Sequence, residues 1–293
     1  MLNRDSAMSQ PIRLLSIGAH PADTFDQCAG TLVHHANRGD QVYCLCLTDG
    51  ASVHDKVISD EMFHRSEIPE ASQLKSMMAD RSDVKAQEVR KACELLGVKD
   101  VFFFGEDDAV LLVTEPTVRR LARVIRELRP HIVLTHYPKE WDGLTSPHAI
   151  TGQIVLHALS LAHGVDPGDR HPPHRVAQVF FFGEGAAHVR GVLWHAEGGY
   201  YCDVFVDTTD VIDRKLAALD CLVSQGYAGQ VARKRIETSD GAFGERIRCS
   251  YAEGFISLGA EVHHYLPLTD HALEISRSSD HEIMRRMSKR IEA

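Results

Sequence analysis

Ser16-Ile17-Gly18-Ala19-His20-Pro21-Ala22-Asp23 is the stretch whose reading decides the fold. The apolar run that leads into it, Leu14 to Ile17, is short and continuous, the pattern of a buried strand. Gly18 breaks the run, and His20 and Asp23 follow just beyond its end. Phe25 to Asn37 then reads as a helix. A His and an Asp three residues apart at a strand-to-helix turn can aim at one point in space. In open α/β sheets that point lies in the crevice at the carboxyl ends of the strands, where ligands bind. A neutral imidazole and a carboxylate are also half of a ligand set for Zn²⁺.

The same alternation continues outward from this turn. Gln41 to Thr48 reads as a second strand ending in Thr48-Asp49-Gly50. Residues 52–82 are polar, charged and without a clear period, which predicts a long excursion over the strand ends with a short helix in it. Asp83 to Leu96 is helical by composition, with Gly97 placed to cap it. Val101 to Phe104 predicts a third strand. Glu115 to Leu128 is the clearest amphipathic helix, with Val118, Leu121, Ala122, Ile125 and Leu128 on one face, and Pro130 stops it. His131 to Thr135 is a fourth strand and delivers His136. After the loop Tyr137 to Thr145, a helix from Ser146 to His163 carries His148 in its first turn. Val176 to Phe182 and Asp203 to Val206 predict two more strands, and Asp207 to Asp210 offers N-caps to a helix running through Val223. This order predicts an α/β, Rossmann-like fold with a mostly parallel sheet flanked by helices and long loops over the carboxyl ends. No GxGxxG follows the first strand, which argues against a dinucleotide site. Residues 1–11 read as an extension, 12–268 as one metal-binding domain and 269–293 as a peripheral tail.

Composition bounds the partners. The 293 residues are 44% hydrophobic and 25% charged, so a sizeable core is expected. A net charge of −9 argues against a nucleic-acid backbone as partner. No apolar run is long enough to span a membrane. The polar start, Met1 to Gln10, predicts no secretory leader and a cytoplasmic protein. Seven cysteines (28, 44, 46, 93, 202, 221 and 249) form no CxxC pair, the pattern of small buried hydrophobes in a reduced compartment.

His20, Asp23 and His148 all fall at or just after strand ends, and two His with one carboxylate and an open fourth position is the make-up of a hydrolytic zinc site. Spacing alone leaves the three as candidates. Ala19-His20-Pro21-Ala22-Asp23, with Gly30 and Leu47-Thr48-Asp49-Gly50, resembles the start of the PIG-L/LmbE family of zinc-dependent de-N-acetylases, whose motif there is A-H-P-D-D. Pro147-His148-Ala149-Ile150-Thr151-Gly152 resembles the second motif of that family. Leu96 to Asp100, Phe103 to Gly105, Arg129 to Val133 and Tyr251 to Phe255 fit its other segments. The resemblance implies a Rossmann-like fold, Zn²⁺ held by His20, Asp23 and His148, and assembly into a homo-oligomer; with no apolar anchor evident in the sequence, a small polar substrate is expected.

The departures bear on chemistry. The first Asp of the D-D pair, the family's general base, is Ala22 here. Thr145, Pro147 and Ala51 replace the opening His of the second motif, the Asp before its ligand His and the Glu after T-D-G. Three readings follow: a zinc hydrolase of C–N (N-acyl) bonds with a relocated base, a hydratase similar to the family's 4-oxalomesaconate hydratase, and a metal-binding pseudoenzyme. Of these the hydrolase is taken first. Glu140, Asp142, His136 and Asp49 are the candidates for the relocated base. Lys139, Arg65 and Arg81 could meet the carboxylates of a hydratase substrate.

Overall fold

The computed structural model describes residues 10–140, 143–183 and 202–291. Its centre is a seven-stranded sheet in the order β3-β2-β1-β4-β5-β7-β6. The strands are β1 (Arg13–Gly18), β2 (Gln41–Thr48), β3 (Asp100–Glu106), β4 (Ile132–Thr135), β5 (Gln178–Phe182), β6 (Val204–Asp207) and β7 (Ala252–Ser257). The first five are parallel neighbours, and β7 runs antiparallel to both β5 and β6. The sheet is thus mostly parallel, as expected, but its far edge is mixed. Strand β7 lies in the Tyr251–Phe255 segment that the reading above had left without a structure.

Side chains alternate across β1 and build two cores. Leu14 packs on one face with Val42, Cys44 and Leu134, beneath helices α1 (Ala29–Asn37), α3 (Ala71–Leu96) and α6 (Ile212–Leu219). Leu15 and Ile17 pack on the other with Leu45, Leu47 and Val133, beneath α4 (Glu115–Leu128) and α5 (Pro147–His163). All five of these β1 and β2 leucines and isoleucines are fully buried, each worth roughly 1.5–3 kcal/mol. Burial on both faces is why these strands read as continuous apolar runs.

Several elements differ from the sequence reading. The helix expected from Phe25 begins only at Ala29, because Ala22–Thr24 forms a 3₁₀ turn and Cys28 closes on Phe25. The polar excursion holds α2 (Lys56–Phe63), as expected. Its second half, however, belongs to α3, which starts at Ala71 rather than Asp83. The first part of α3 projects into solvent and buries no apolar face, so it carries no 3.6-residue period. Helix α6 ends at Leu219 and has no side-chain N-cap, since Asp207 Oδ1 accepts the Thr209 N–H instead. Two further helices, α7 (Gln230–Thr238) and α8 (Asp240–Ile247), pack near β7. The expected peripheral tail forms α9 (Asp270–Arg277) and α10 (Asp280–Arg286). Cys28, Cys44, Cys46, Cys93 and Cys249 are buried free thiols, while Cys202 and Cys221 are partly exposed.

Candidate metal centre

Strand order reverses between β1 and β4: from β1 the chain moves outward to β2 and β3, then returns to the other side at β4. Loops diverge at such a switch point and leave a crevice. The turn after β1 enters it with His20 and Asp23, and the segment after β4 enters it with His136, Glu140 and His148.

The β1 turn is tightly held. Ala19 O accepts from Thr48 N at 2.9 Å and from Thr48 Oγ1 at 2.8 Å. Ser16 Oγ donates to Thr24 O at 2.7 Å. The His20 N–H donates to Asp23 Oδ2 at 2.8 Å, which fixes the carboxylate against its own turn. On the other side, Ser146 caps α5 by accepting the Ala149 N–H at 3.1 Å, and Pro147 opens the helix. His148 therefore stands in the first turn, at the end nearest the crevice. Gly152 lets α5 approach the strand end, since a Cβ there would lie 2.5 Å from His136 O.

Three donor atoms close a small triangle. Asp23 Oδ2 lies 2.8 Å from His20 Nδ1 and 3.2 Å from His148 Nε2, and the two ring nitrogens are 3.3 Å apart. Ligands about 2.0–2.1 Å from a tetrahedral ion lie roughly 3.3 Å from one another, so these residues can hold a metal with little movement. Their electrostatics agree. Burial opposes ionisation of Asp23, yet His148 and His20 hold its carboxyl well below the usual range. Burial also opposes a charge on His148, but Asp23 and Glu140 raise its pKa well above that of a free imidazole. Burial lowers the pKa of His20, against the pull of Asp23. The crevice thus favours one positive charge beside Asp23, which an ion can supply in place of the His148 proton.

Behind His148 stands a second layer. Glu140 Oε2 is 3.0 Å from His148 Nδ1, and Glu140 Oε1 is 3.7 Å from His136 Nδ1. The carboxylate bond leaves His148 Nε2 as the atom free to ligate, the usual arrangement around metal-bound histidines. Burial works against ionisation of Glu140, but the neighbouring His136 and the hydrogen-bonded His148 bring its pKa down to about 2. Paired backbone bonds between Glu140 and Gly143, both 3.0 Å, turn the chain so that Glu140 faces inward. His136 stacks on His148 with centroids 4.3 Å apart, and its Nε2 accepts the Ala19 N–H at 3.3 Å. His136, Glu140 and His148 form a second cluster of ligand type, sharing His148 with the first.

Of the sequence candidates, His20, Asp23, His148, His136 and Glu140 meet in this crevice. Asp49 caps its own turn, accepting the Ala51 N–H at 3.0 Å. Asp142 lies outside the described residues. Arg81 pairs with Asp55 and Arg65 with Glu61, while Lys139 is exposed. Two residues escaped the sequence reading: His54, stacked on His20 with centroids 3.6 Å apart, and Asp108, 3.0 Å from His54 Nδ1. Asp108 opens the loop that follows β3, two residues past the strand, and that place near a strand end was the available signal.

Residues 15–159 match the PIG-L family, described as GlcNAc-PI de-N-acetylase. A 4-oxalmesaconate hydratase of Pseudomonas putida is 26% identical over 222 residues, covering 73% of this chain and 74% of its own. A probable N-acetyl-alpha-D-glucosaminyl L-malate deacetylase 2 of Bacillus anthracis is 25% identical over 239 residues, covering 80% and 90%. The crystal structure of a 4-carboxy-2-hydroxymuconate hydratase of Pseudomonas putida superposes with a TM-score of 0.64 at 24% identity, covering 87% of this chain and 100% of the other. Fold and sequence match converge on the PIG-L family, whose model the chain matches over residues 15–159.

Proposed function

We propose that this chain is a zinc-dependent hydrolase that turns water against the C–N bond of a small, polar N-acyl substrate. The observation that carries the reading is the triangle of His20 Nδ1, Asp23 Oδ2 and His148 Nε2, with sides of 2.8, 3.2 and 3.3 Å. Two imidazoles and one carboxylate with an open position are the donor set of hydrolytic zinc. Zinc bound there supplies Lewis acidity and brings the pKa of water toward about 7. Within the protein, Glu140 holds the ring of His148 in one orientation, and His136 packs behind it and is pinned by the Ala19 N–H. The two brace the ligand set. The crevice is lined by His20, Asp23, Glu140 and His148, polar groups that suit a small polar substrate.

Addition of water to an unsaturated oxo-acid is the second reading. It is favoured by Ala22, which stands where the deacetylase motif has its base, and by the similarity to a hydratase over most of both chains. Metal analysis of stripped and reconstituted protein tests the centre: one zinc ion per chain is expected, and His148→Ala should lose it. Amine release from N-acyl sugars, set against loss of enoate absorbance from unsaturated oxo-dicarboxylates, separates the two reactions. Full activity in metal-free protein would remove both.

A further inference from the structure

Ala22 offers no proton acceptor, and the side chains of His136 and Glu140 are sealed behind His148, 0% and 4% exposed. The imidazole that stacks on the ligand set at His20 is His54. Its ring lies over that of His20, with planes inclined by 29°, and its side chain is 33% exposed. Asp108, wholly buried at its side chain, is 3.0 Å from His54 Nδ1 and also accepts the N–H groups of Ser52, Val53 and His54 at 2.7, 2.9 and 3.0 Å. A carboxylate that receives three backbone donors stays ionised and can only accept. The proton on His54 therefore belongs on Nδ1, and Nε2 is left as a bare acceptor. An imidazole whose tautomer is set by a buried Asp is the arrangement that readies a His to take a proton.

We propose that His54, held in its Nδ1–H tautomer by Asp108, accepts the proton of the attacking water in place of the carboxylate missing at position 22. This rests on the hydrolytic reading above. In N-acyl hydrolysis an O–H bond of water breaks, its proton passes to His54 Nε2, and the water oxygen bonds to the acyl carbon. The C–N bond then breaks as the proton passes from Nε2 to the departing nitrogen. A carboxylic acid and an amine leave, and His54 is neutral again. Asp108 is a positioning residue that touches none of the reacting atoms.

The experiment uses the full-length, zinc-loaded chain labelled with ¹⁵N in its histidines. Two-bond ¹H–¹⁵N spectra read the tautomer of His54, assigned by its disappearance in His54→Phe, a variant that keeps an aromatic ring on His20. The Nδ1–H form is expected in the wild type and a mixture in Asp108→Asn. Amine release from an N-acetyl sugar should fall about 10²–10⁴-fold in kcat for His54→Phe, with KM little changed and zinc content intact. Added imidazole should restore part of the activity lost in His54→Ala, which a structural role would not allow. An Nε2–H tautomer in the wild type, unchanged kcat in His54→Phe, or loss of zinc from that variant would each overturn the assignment. If the zinc-loaded wild type hydrolyses no probe, the hydrolytic reading fails, and the tautomer still decides whether the His54–Asp108 pair exists as described.

Discussion

Ala22 shows how one side chain can change what a site is able to do. It is fully buried and packs in the apolar cluster with Leu14, Phe25 and Leu134. The turn that holds it is made by backbone bonds and by Asp23, so a methyl group is tolerated where the motif it resembles has a carboxylate. Ala22→Asp would place a charge in that cluster without a partner, at a cost of about 3–5 kcal/mol. Denaturant unfolding measures it, and a variant as stable as the wild type would show that position 22 opens into the crevice. Asp108 makes a second prediction at this scale. Burial opposes its ionisation, but the bonds from His54 and three backbone N–H groups keep its pKa below the usual carboxylate value. A depressed folded pKa means that its contribution is complete above the unfolded value, about 3.9, and is lost as pH falls through the folded one. Asp108→Asn should therefore flatten the acid limb of the stability curve, read as the unfolding midpoint at several pH values.

Among the elements, α5 links fold to site most directly. Its first turn presents His148, and its second passes Gly152 beneath the backbone of His136, Tyr137 and Pro138. A methyl group at 152 would meet His136 O at 2.5 Å and Pro138 N at 2.9 Å, atoms of backbone that cannot rotate away. Gly152→Ala should push α5 from the strand end, lowering both thermal stability and zinc affinity, and calorimetry with metal titration would register the two together. Normal zinc affinity in that variant would show that His148 does not depend on this close approach. The far end of α5 is closed by Arg126 of α4, whose guanidinium donates to the carbonyls of Leu161, Ala162 and Gly164. That arginine is buried on the helix whose apolar stripe was read from sequence. The stripe itself holds: Leu121, Ala122 and Ile125 are buried, and Val118 and Leu128 pack at the margin.

Across the whole molecule, a buried ionic knot ties the mixed edge of the sheet to the turn after β1. Glu253 on β7 accepts the N–H groups of Gly30 and Thr31 at 2.9 and 2.8 Å, capping the start of α1. Lys215 of α6 joins Glu253 at 2.9 Å and Asp240 at 2.6 Å. Removing the cation in Lys215→Met would take the lysine's charge from two buried carboxylates, with a loss of about 3–5 kcal/mol measurable by urea unfolding. Burial disfavours the charged lysine, yet Asp240 and Glu253 raise its pKa overall. A raised folded pKa gives stability that is complete below the unfolded value, about 10.4, and declines only as pH climbs toward the folded one.

What the chain determined by itself was local. Burial of β1 and β2 on both faces writes apolar runs at Leu14–Ile17 and Val42–Leu47, and the face of α4 writes a 3.6-residue period, because each pattern needs only near neighbours. His20 and Asp23 were legible for the same reason, lying three residues apart on one turn, and the match to a known motif added His148. Tertiary structure alone decided the rest. Glu140 and His136 gain meaning from the orientation of His148, and His54 and Asp108 meet across 54 positions of chain. From its antiparallel seat on β7, Glu253 reaches α1 across 223 positions. Contacts of that span leave no periodic trace in the sequence, since they form only when the sheet and its loops have brought distant segments to the same crevice.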